Sequence, residues 1–362
     1  DDFLDREPMS SISPETYYST AAQLEANLND EYPNVLPSFG QWTYGIFGED
    51  KGTDNQIEVN ANDRYTQDRW KVPNSESDHW KFERISRINF FLSEALPKFG
   101  EDMSGSQNTI SGSVATIKHY IGEMYFLRAY EYFKKLQLFG DFPIINQPLA
   151  DEMEALREAS KRFPRNEVAR FILEDLDKAI SYLASRGKFN GQRVNREAAL
   201  LFKSRVALFE ATFEKYHKGS GRVPGDNNWP GANMPYNSGK NFSIDSEVDF
   251  FLTEAMNAAK QVADNAQLTT NNHVIEPQPG VITGWNNYFE MYSQPSLANV
   301  PEVLLWKQYS FSLSISHDAA YRVKTGCADG YTRTFAESFL MKNGLPIYDS
   351  NDYQGVVSID NV

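Results

Sequence analysis

The chain has 362 residues, of which 41% are apolar and 23% charged, and this composition excludes an intrinsically disordered protein. Its formal net charge of −14 repels nucleic-acid backbones and anionic membrane surfaces, so neither is an expected ligand. The single cysteine, Cys327, excludes an internal disulfide and any cysteine-based zinc site. No apolar run approaches the roughly 18 residues needed to span a bilayer.

Two helical patterns open the chain. The first, SPETYYSTAAQLEANLNDEYP, has Ser13 as the expected N-cap and Pro14 at the first helical position, and it is expected to end before Pro33. The second runs from about Ser77 to Leu96, and its apolar residues lie broadly on one side. These patterns predict two helices, the second of them amphipathic.

The third helix, expected from about Ser111 to Leu138 and ending at Gly140, is apolar around most of its circumference. That pattern is typical of a helix enclosed by its neighbours. Glu123 and Arg128 lie five residues apart within it, and we expect them to reach caps or charges on adjacent helices, because a buried unpaired charge is costly. His119 and Glu123 could share a metal ion, but no further ligand is in view, so a packed or solvated pair is favoured.

The next two patterns form a helix pair. In PRNEVARFILEDLDKAISYL the apolar residues make one stripe. In NREAALLFKSRVALFEATFEKY a second stripe extends to Tyr216, with Asn195 as the expected N-cap. A further helix is expected from about Ser246 to Asn265, capped by Asp245. The best strand signal in the chain is PEVLLWKQYSFSL, residues 301–313.

The order helix, short turn, helix recurs along the chain. It predicts a mainly α fold of irregular tetratricopeptide-like helix pairs, an α-solenoid with little β structure. The strict period of about 34 residues is absent because insertions interrupt it. Long loops rich in Gly, Pro, Asn and aromatic residues are expected at about 34–76, 219–244 and 267–300.

Aromatic residues make up 14% of the chain, and four of its six tryptophans fall in these loops. They are Trp42, Trp70, Trp229 and Trp285. A tryptophan in a polar loop has two interpretations, an anchor that fixes the loop to the helices beneath it or a flat platform for a ligand. Sugar rings present C–H faces that stack on aromatic rings, while their hydroxyls need Asp, Asn, Arg or Gln partners. The loops suit that chemistry, and they also suit an extended peptide.

Enzymatic signatures are weak in this sequence. It has no H-E-x-x-H, G-x-S-x-G, P-loop or dinucleotide-binding fingerprint, and its five histidines are scattered. The 49 acidic residues leave a glycosidase pair open by count, yet nothing in the sequence localises two of them to one site. A catalytic site, a metal and a cofactor are therefore not expected.

Five segments, in order along nearly the whole chain, resemble the SusD/RagB family of surface lipoproteins from Bacteroidetes. They are DDFLDREPMSSIS, HWKFERISRINFFL, GEMYFLRAYEYFKKLQLFGDFPI, RVNREAALLFKSRVALFEATFEKY and FAESFLMKNGLPI. Phe82 stands where the family usually has Tyr, and Asn195 where Thr is common, which exchanges one N-cap for another. Each segment alone is a weak signal, and their combination is specific.

The resemblance implies one SusD-like helical domain over residues 1–362, the N-terminal part of a longer protein, because family members continue well beyond N-G-x-P-I. It implies a non-catalytic, surface-exposed lipoprotein of the outer membrane, lipidated on a Cys expected just before Asp1. The implied partner is a SusC-like TonB-dependent transporter, over which the protein acts as a lid. The usual cargo is an oligosaccharide, and in the RagB branch it is a peptide. An enzyme on this scaffold is the remote alternative.

The resemblance also implies a binding site built from two loops. In starch-binding members the first long loop supplies a Trp, an Asn, an Asp and an Arg, and a later loop supplies a Trp and a Tyr. By position, the candidates here are Trp70, Asn74, Asp50 or Asp54, Arg64, Trp285 and Tyr288, with Trp229 as a further candidate.

Overall fold

The structure, a computed structural model, describes residues 17–38, 50–57, 67, 79–100, 102–274, 286–325 and 330–351. Within these ranges it contains ten α-helices and one two-stranded sheet, so the prediction of a mainly α fold with little β structure is confirmed. The residues group into two compact units, one within Asp1–Leu36 and Asp78–Gln308, the other within Pro37–Ser77 and Tyr309–Val362. The single-domain expectation stays a prediction.

The first unit is a stack of helices around one buried helix. Its helices are α1 (Ala21–Val35), α2 (Glu83–Phe99), α3 (Val114–Phe139), α4 (Met153–Ala159), α5 (Arg165–Tyr182), α6 (Arg196–His217), α7 (Ile244–Ala263) and α8 (Asn287–Ser293). Helix α3 packs against α1, α2 and α5, while α5, α6 and α7 pack in sequence against one another. No helix in the described ranges is both long and apolar enough to cross a membrane.

The second unit contains the short sheet. Strand β1 (Gln56–Ile57) pairs antiparallel with β2 (Gly330–Tyr331). Helices α9 (Ala319–Thr325) and α10 (Arg333–Glu337) flank β2 in the chain. The backbone N–H of Thr332 donates to the carbonyl of Asn55 (3.0 Å), which continues the pairing by one residue.

Helix α1 begins later than the sequence predicts. Thr20 is its N-cap, and Thr20 and Gln23 form a capping box. The predicted start at Ser13 and Pro14 lies outside the described residues, but Tyr18 has φ 56°, a left-handed conformation that interrupts any helix entering from that side. Pro33 lies inside α1 rather than ending it, since Leu36 is the C-cap.

Helices α2 and α3 end at glycines. Helix α2 starts at Glu83 rather than near Ser77 and ends at Gly100, where φ is 101°. Helix α3 ends at Gly140, with φ 68°, so the predicted stop is confirmed. Both glycines adopt backbone angles that a side chain would disfavour.

Of the two N-caps predicted for α6 and α7, the first is confirmed and the second was wrong. The Asn195 side chain accepts from the N–H of Ala198 (3.0 Å), so this predicted N-cap is confirmed. Helix α7 is capped by Ser243, and Asp245 lies inside the first turn, so the prediction of Asp245 as the cap was wrong. The predicted stripe of α6 also fails at Tyr216, which is 76% exposed.

The predicted strand at 301–313 was wrong. The segment starts with a turn, continues without regular structure and ends in a short 3-10 helix at Phe311–Leu313. Two of its carbonyls are taken by side chains rather than by a neighbouring strand. Arg186 donates to the oxygen of Val303 (2.7 Å) and Asn195 to that of Leu304 (2.8 Å).

Arg128 joins α3 to α5 through a buried ion pair. Its Nε and Nη2 donate to the two carboxylate oxygens of Asp175 at 2.6 and 2.8 Å. Its Nη1 donates to the side-chain oxygen of Asn89 on α2 (2.9 Å) and to the carbonyl of Asn146 (3.0 Å). The expectation that Arg128 reaches a charge on an adjacent helix is confirmed.

Both carboxylate oxygens of Glu123, also on α3, have charged or hydrogen-bonding partners. Arg193, in the turn before α6, donates to both of its oxygens at 2.8 and 2.6 Å. His119 accepts the N–H of Ala184 at Nδ1 (3.0 Å), so its Nε2 carries the proton that it shares with Glu123 (2.7 Å). This arrangement is the packed pair favoured by the sequence.

A third buried ion pair joins α5 to α6, with an extra carboxyl beside it. Arg165 donates to both oxygens of Glu210 at 2.8 Å. Glu214, one turn further along α6, is also fully buried. Burial, and then the negative charges of Glu210 and Glu247, raise the pKa of Glu214 to about 9. Glu214 is therefore protonated at neutral pH in the folded protein.

We expect Asp175→Asn to destabilise the protein by about 3–5 kcal/mol, because it leaves the Arg128 guanidinium buried without a counter-charge. Urea unfolding would measure the change. The matched control is Glu174→Gln on the exposed face of α5, expected to change stability by less than about 0.5 kcal/mol. Equal effects of the two variants would contradict this role for the buried pair.

We expect Glu214→Gln to become progressively more stabilising, relative to the parent protein, as pH rises from about 4.5 to about 9. In that window the unfolded chain ionises Glu214 while the folded protein keeps it protonated. The folded state therefore loses up to about 1.4 kcal/mol per pH unit through this group. Unfolding free energies at several pH values would measure the difference, and parallel curves for the two proteins would contradict it.

Candidate functional site

The structure describes four of the eight predicted site residues. Trp70, Asn74, Arg64 and Trp285 lie outside the described residues. Asp50 and Asp54 are exposed in one turn of the second unit, in which the N–H of Thr53 donates to the carbonyl of Asp50 (3.2 Å). Trp229 and Tyr288 belong to the first unit.

Trp229 is built into the helical scaffold. It is 5% exposed, and its indole N–H donates to the carboxylate of Asp141 (2.9 Å). Its ring meets Phe242 edge-on, and it lies so close to Gly231 that a Cβ there would come within 2.1 Å of a ring atom. This environment matches the anchoring interpretation, because the ring offers no open face to a ligand.

Tyr288 lies on α8, where it shares an exposed surface with two other rings. Tyr288, Phe289 and Tyr292 are 45%, 52% and 78% exposed. At about 100° per residue they occupy an arc of roughly 100° on one side of the helix. We call these three residues the aromatic face. Met291, outside that arc, is buried.

Paired asparagines hold α8 beside the segment that precedes it. The amide nitrogen of Asn286 donates to the side-chain oxygen of Asn271 (2.8 Å), and that of Asn272 to the side-chain oxygen of Asn287 (3.0 Å). The amide nitrogen of Asn287 in turn donates to the carbonyl of Thr270 (2.7 Å). Asn286 is also the N-cap of α8. Neutral amide donors and acceptors therefore flank the aromatic face.

The loop that carries α8 is closed at its base. The carboxylate of Glu302 accepts from the backbone N–H of Thr269 (2.7 Å), which joins the two ends of the loop. The hydroxyl of Thr269 reaches the sulfur of Met291 (3.5 Å). These contacts hold Thr269, Met291 and Glu302 together.

Arg186 joins the backbone that follows α8 to the turn between α5 and α6. Its guanidinium donates to three backbone carbonyls, those of Val303 (2.7 Å), Leu297 (2.9 Å) and Val300 (3.0 Å). The backbone N–H of Arg186 is itself held by the carboxylate of Glu197 (2.8 Å). We call residues 297–306 the strap.

Trp306 secures the far end of the strap. Its backbone N–H donates to the carbonyl of Gly191 (2.9 Å), and its indole N–H donates to the carbonyl of Asn190 (2.7 Å). Gly191 has φ 76°, and a Cβ there would lie 3.0 Å from the carbonyl oxygen of Leu304. The strap thus depends on a close backbone approach that glycine permits.

The sequence analysis proposed Tyr288 as a site residue, which stays a prediction, but it assigned this region to a loop and so missed helix α8 and the position of Phe289 on the same side of it. One local signal was present, since Asn286 precedes two tyrosines at i, i+4 spacing, which is typical of a capped helix with one aromatic side. The asparagine pairs and the contacts of Arg186 join residues too far apart in the chain for periodicity to indicate them.

We expect Arg186→Met to loosen the strap and the helix it supports, since three carbonyls lose a charged donor at once. Amide hydrogen exchange should speed up in α8 and in the strap while remaining unchanged in α3. Lys188→Met, an exposed change in the same turn, is the matched control. Unaltered exchange of α8 in the Arg186 variant would contradict this role for Arg186.

The sequence model of a SusD-like family, described as starch-binding and associating with the outer membrane, matches residues 2–208, more than half of the chain. SusD-like protein P2 of Formosa agariphila is 24% identical over 217 residues, which are 59% of this chain and 41% of that protein. The chain therefore spans about two fifths of the length of this curated relative.

Two solved structures show the level of similarity to known folds. A SusD superfamily protein of Bacteroides fragilis is 17% identical, with a TM-score of 0.43 over 70% of this chain and 45% of its own. A laminarin-binding SusD-like protein is 19% identical, with a TM-score of 0.40 over 58% of this chain and 45% of its own.

Proposed function

Because the chain belongs to the SusD-like family, we propose that it is a non-catalytic cell-surface protein that captures oligosaccharides. The observation that carries the proposal is the aromatic face of α8, three exposed rings flanked by asparagine amides. The family's description as starch-binding supports the same ligand class.

The chemistry of the aromatic face suits a sugar ring. The apolar C–H side of a sugar stacks on the rings of Tyr288 and Tyr292 and removes them from water. Fixing these side chains costs little conformational entropy, because each has only two rotatable bonds. The hydroxyls at the edge of the sugar then exchange hydrogen bonds with the asparagines. Thr269 and Glu302, which lie before and after α8 in the chain, are hydrogen-bonded to each other, and Arg186 holds the strap, so little ordering of these residues is needed on binding.

The other candidates taken from the family pattern are proposed as ligand-binding residues in their own right. They are Trp70, Asn74, Arg64, Asp50 and Asp54 in the first long loop, and Trp285. Trp285 immediately precedes the N-cap of α8, which supports its inclusion. Trp229 is left out because its ring is buried and its N–H is bound to Asp141.

The proposal includes where the protein acts and what receives the cargo. We place it on the outer membrane as a lipid-anchored protein of the cell surface, which the family's described association with that membrane supports. We name a SusC-like TonB-dependent transporter as the partner to which it delivers oligosaccharides. This step rests on the resemblance of the five sequence segments to the SusD/RagB family.

We expect the double variant Tyr288→Ala, Tyr292→Ala to weaken binding of a recognised polysaccharide roughly tenfold or more, since two stacking rings are lost. Affinity electrophoresis in polysaccharide gels measures the change, and thermal melting should show nearly unchanged stability. Tyr216→Ala is the matched control, because that tyrosine is about as exposed as Tyr292 but lies at the opposite end of α6 from the strap.

Three outcomes would redirect the proposal. Unchanged retardation of the double variant would remove α8 from the site. Absence of binding to any glycan, combined with measurable peptide binding, would favour the RagB-like alternative of a peptide-capturing lid. Cleavage of a glycan during incubation would favour an enzyme.

Trp70→Ala is a parallel variant, and a large loss of its stability with unchanged binding would assign Trp70 to loop anchoring.

A further inference from the structure

Tyr288 and Tyr292 form two separate platforms on α8. They lie four residues apart, which is about 6 Å along the helix axis and about 40° around it, so both project from the same side. Within the described part of the chain, neither side chain has a ring contact or a hydrogen-bond partner. The two rings therefore do not stack on each other, and each can receive its own part of a ligand.

The surface around Tyr292 is open. Tyr288 is 45% exposed and Tyr292 is 78% exposed, so exposure increases toward the C-terminal end of α8. Gln294 and Pro295, which follow the helix, are exposed as well. A ligand that stacks on the two tyrosines and extends past Tyr292 therefore meets exposed residues rather than the wall of a pocket.

The spacing of the platforms suits consecutive residues of one glycan chain. A pyranose ring is comparable in width to a phenol ring, so each tyrosine stacks one sugar. The Cβ atoms of residues one helical turn apart are about 5–6 Å from each other, which is comparable to the repeat of an extended glycan. Two linked sugars lose their translational freedom only once, so the second stacking contact adds affinity that a free monosaccharide does not gain.

We propose that the aromatic face binds two consecutive sugar residues laid along α8, with the glycan chain free to continue past Tyr292. This inference rests on the proposed function and adds the minimum length and the orientation of the ligand to it. It is carried by the one-turn spacing of the two tyrosines, their separate rings and the exposed residues that follow them.

A length series tests this inference. The probes are glucose and the di-, tri- and hexasaccharides derived from starch, laminarin and cellulose. Calorimetry measures the affinity of the hexasaccharides, and competition with them measures that of the shorter sugars. In at least one series we expect the trisaccharide to bind at least about tenfold tighter than glucose. The hexasaccharide should bind within about threefold of the trisaccharide, because both platforms are then already filled.

Tyr292→Ala provides the second arm, because it removes one platform and leaves the other. In this variant the gain in affinity from glucose to the trisaccharide should shrink to less than about threefold, since only one sugar can then stack. Thermal melting is measured in parallel, because damage to the fold would weaken binding of every length and lower the melting temperature. Tyr216→Ala, which removes a similarly exposed tyrosine from α6, should keep the full length dependence.

The outcomes separate this inference from the proposed function. Equal affinities for glucose and the trisaccharide would overturn the two-residue platform and leave glycan capture standing. A hexasaccharide that binds much more weakly than the trisaccharide would overturn the open end at Tyr292. An unchanged length dependence in Tyr292→Ala would place glycan binding away from α8. Failure of every sugar in the three series to bind would overturn both the inference and the proposed function.

Discussion

Helix α3 is buried on nearly all sides, so each buried charge on it needs an ionic or hydrogen-bonding partner from elsewhere in the fold. Helix α3 carries Glu123 and Arg128 at positions where water does not reach them. Their partners are Arg193 in the turn before α6 and Asp175 on α5. Such pairs contribute less to net stability than their geometry suggests, but their loss is costly, so they fix one arrangement of the helices around α3.

The same turn connects this charge network to the proposed binding surface. Residues 184–195 supply a backbone N–H to His119 and the guanidinium of Arg193 to Glu123 on one side. On the other side they hold the strap, through Arg186 and through the backbone carbonyls that bind Trp306. A rigid scaffold thereby orients a loop-borne helix, which is the usual division of labour between packed elements and binding loops.

The aromatic residues of the chain divide into two physical roles. Trp229 is enclosed, with its indole N–H bound to a carboxylate, and it stabilises the loop after α6. Tyr288 and Tyr292 expose their rings on a helix whose N-terminal asparagines present neutral amides. Burial and hydrogen-bond partners decide which role a ring has, and both are properties of the folded chain.

The resemblance of five segments was enough to indicate the family. The mainly α fold, the stop at Gly140 and the cap at Asn195 could be predicted because helical periodicity and caps depend on residues a few positions apart. The lack of a strand at residues 301–313, the enclosure of Trp229 and the aromatic face of α8 could not be predicted in this way. The physical reason is that buried charges, loop carbonyls and ring faces take their partners from distant parts of the chain, as Arg186 does in the strap.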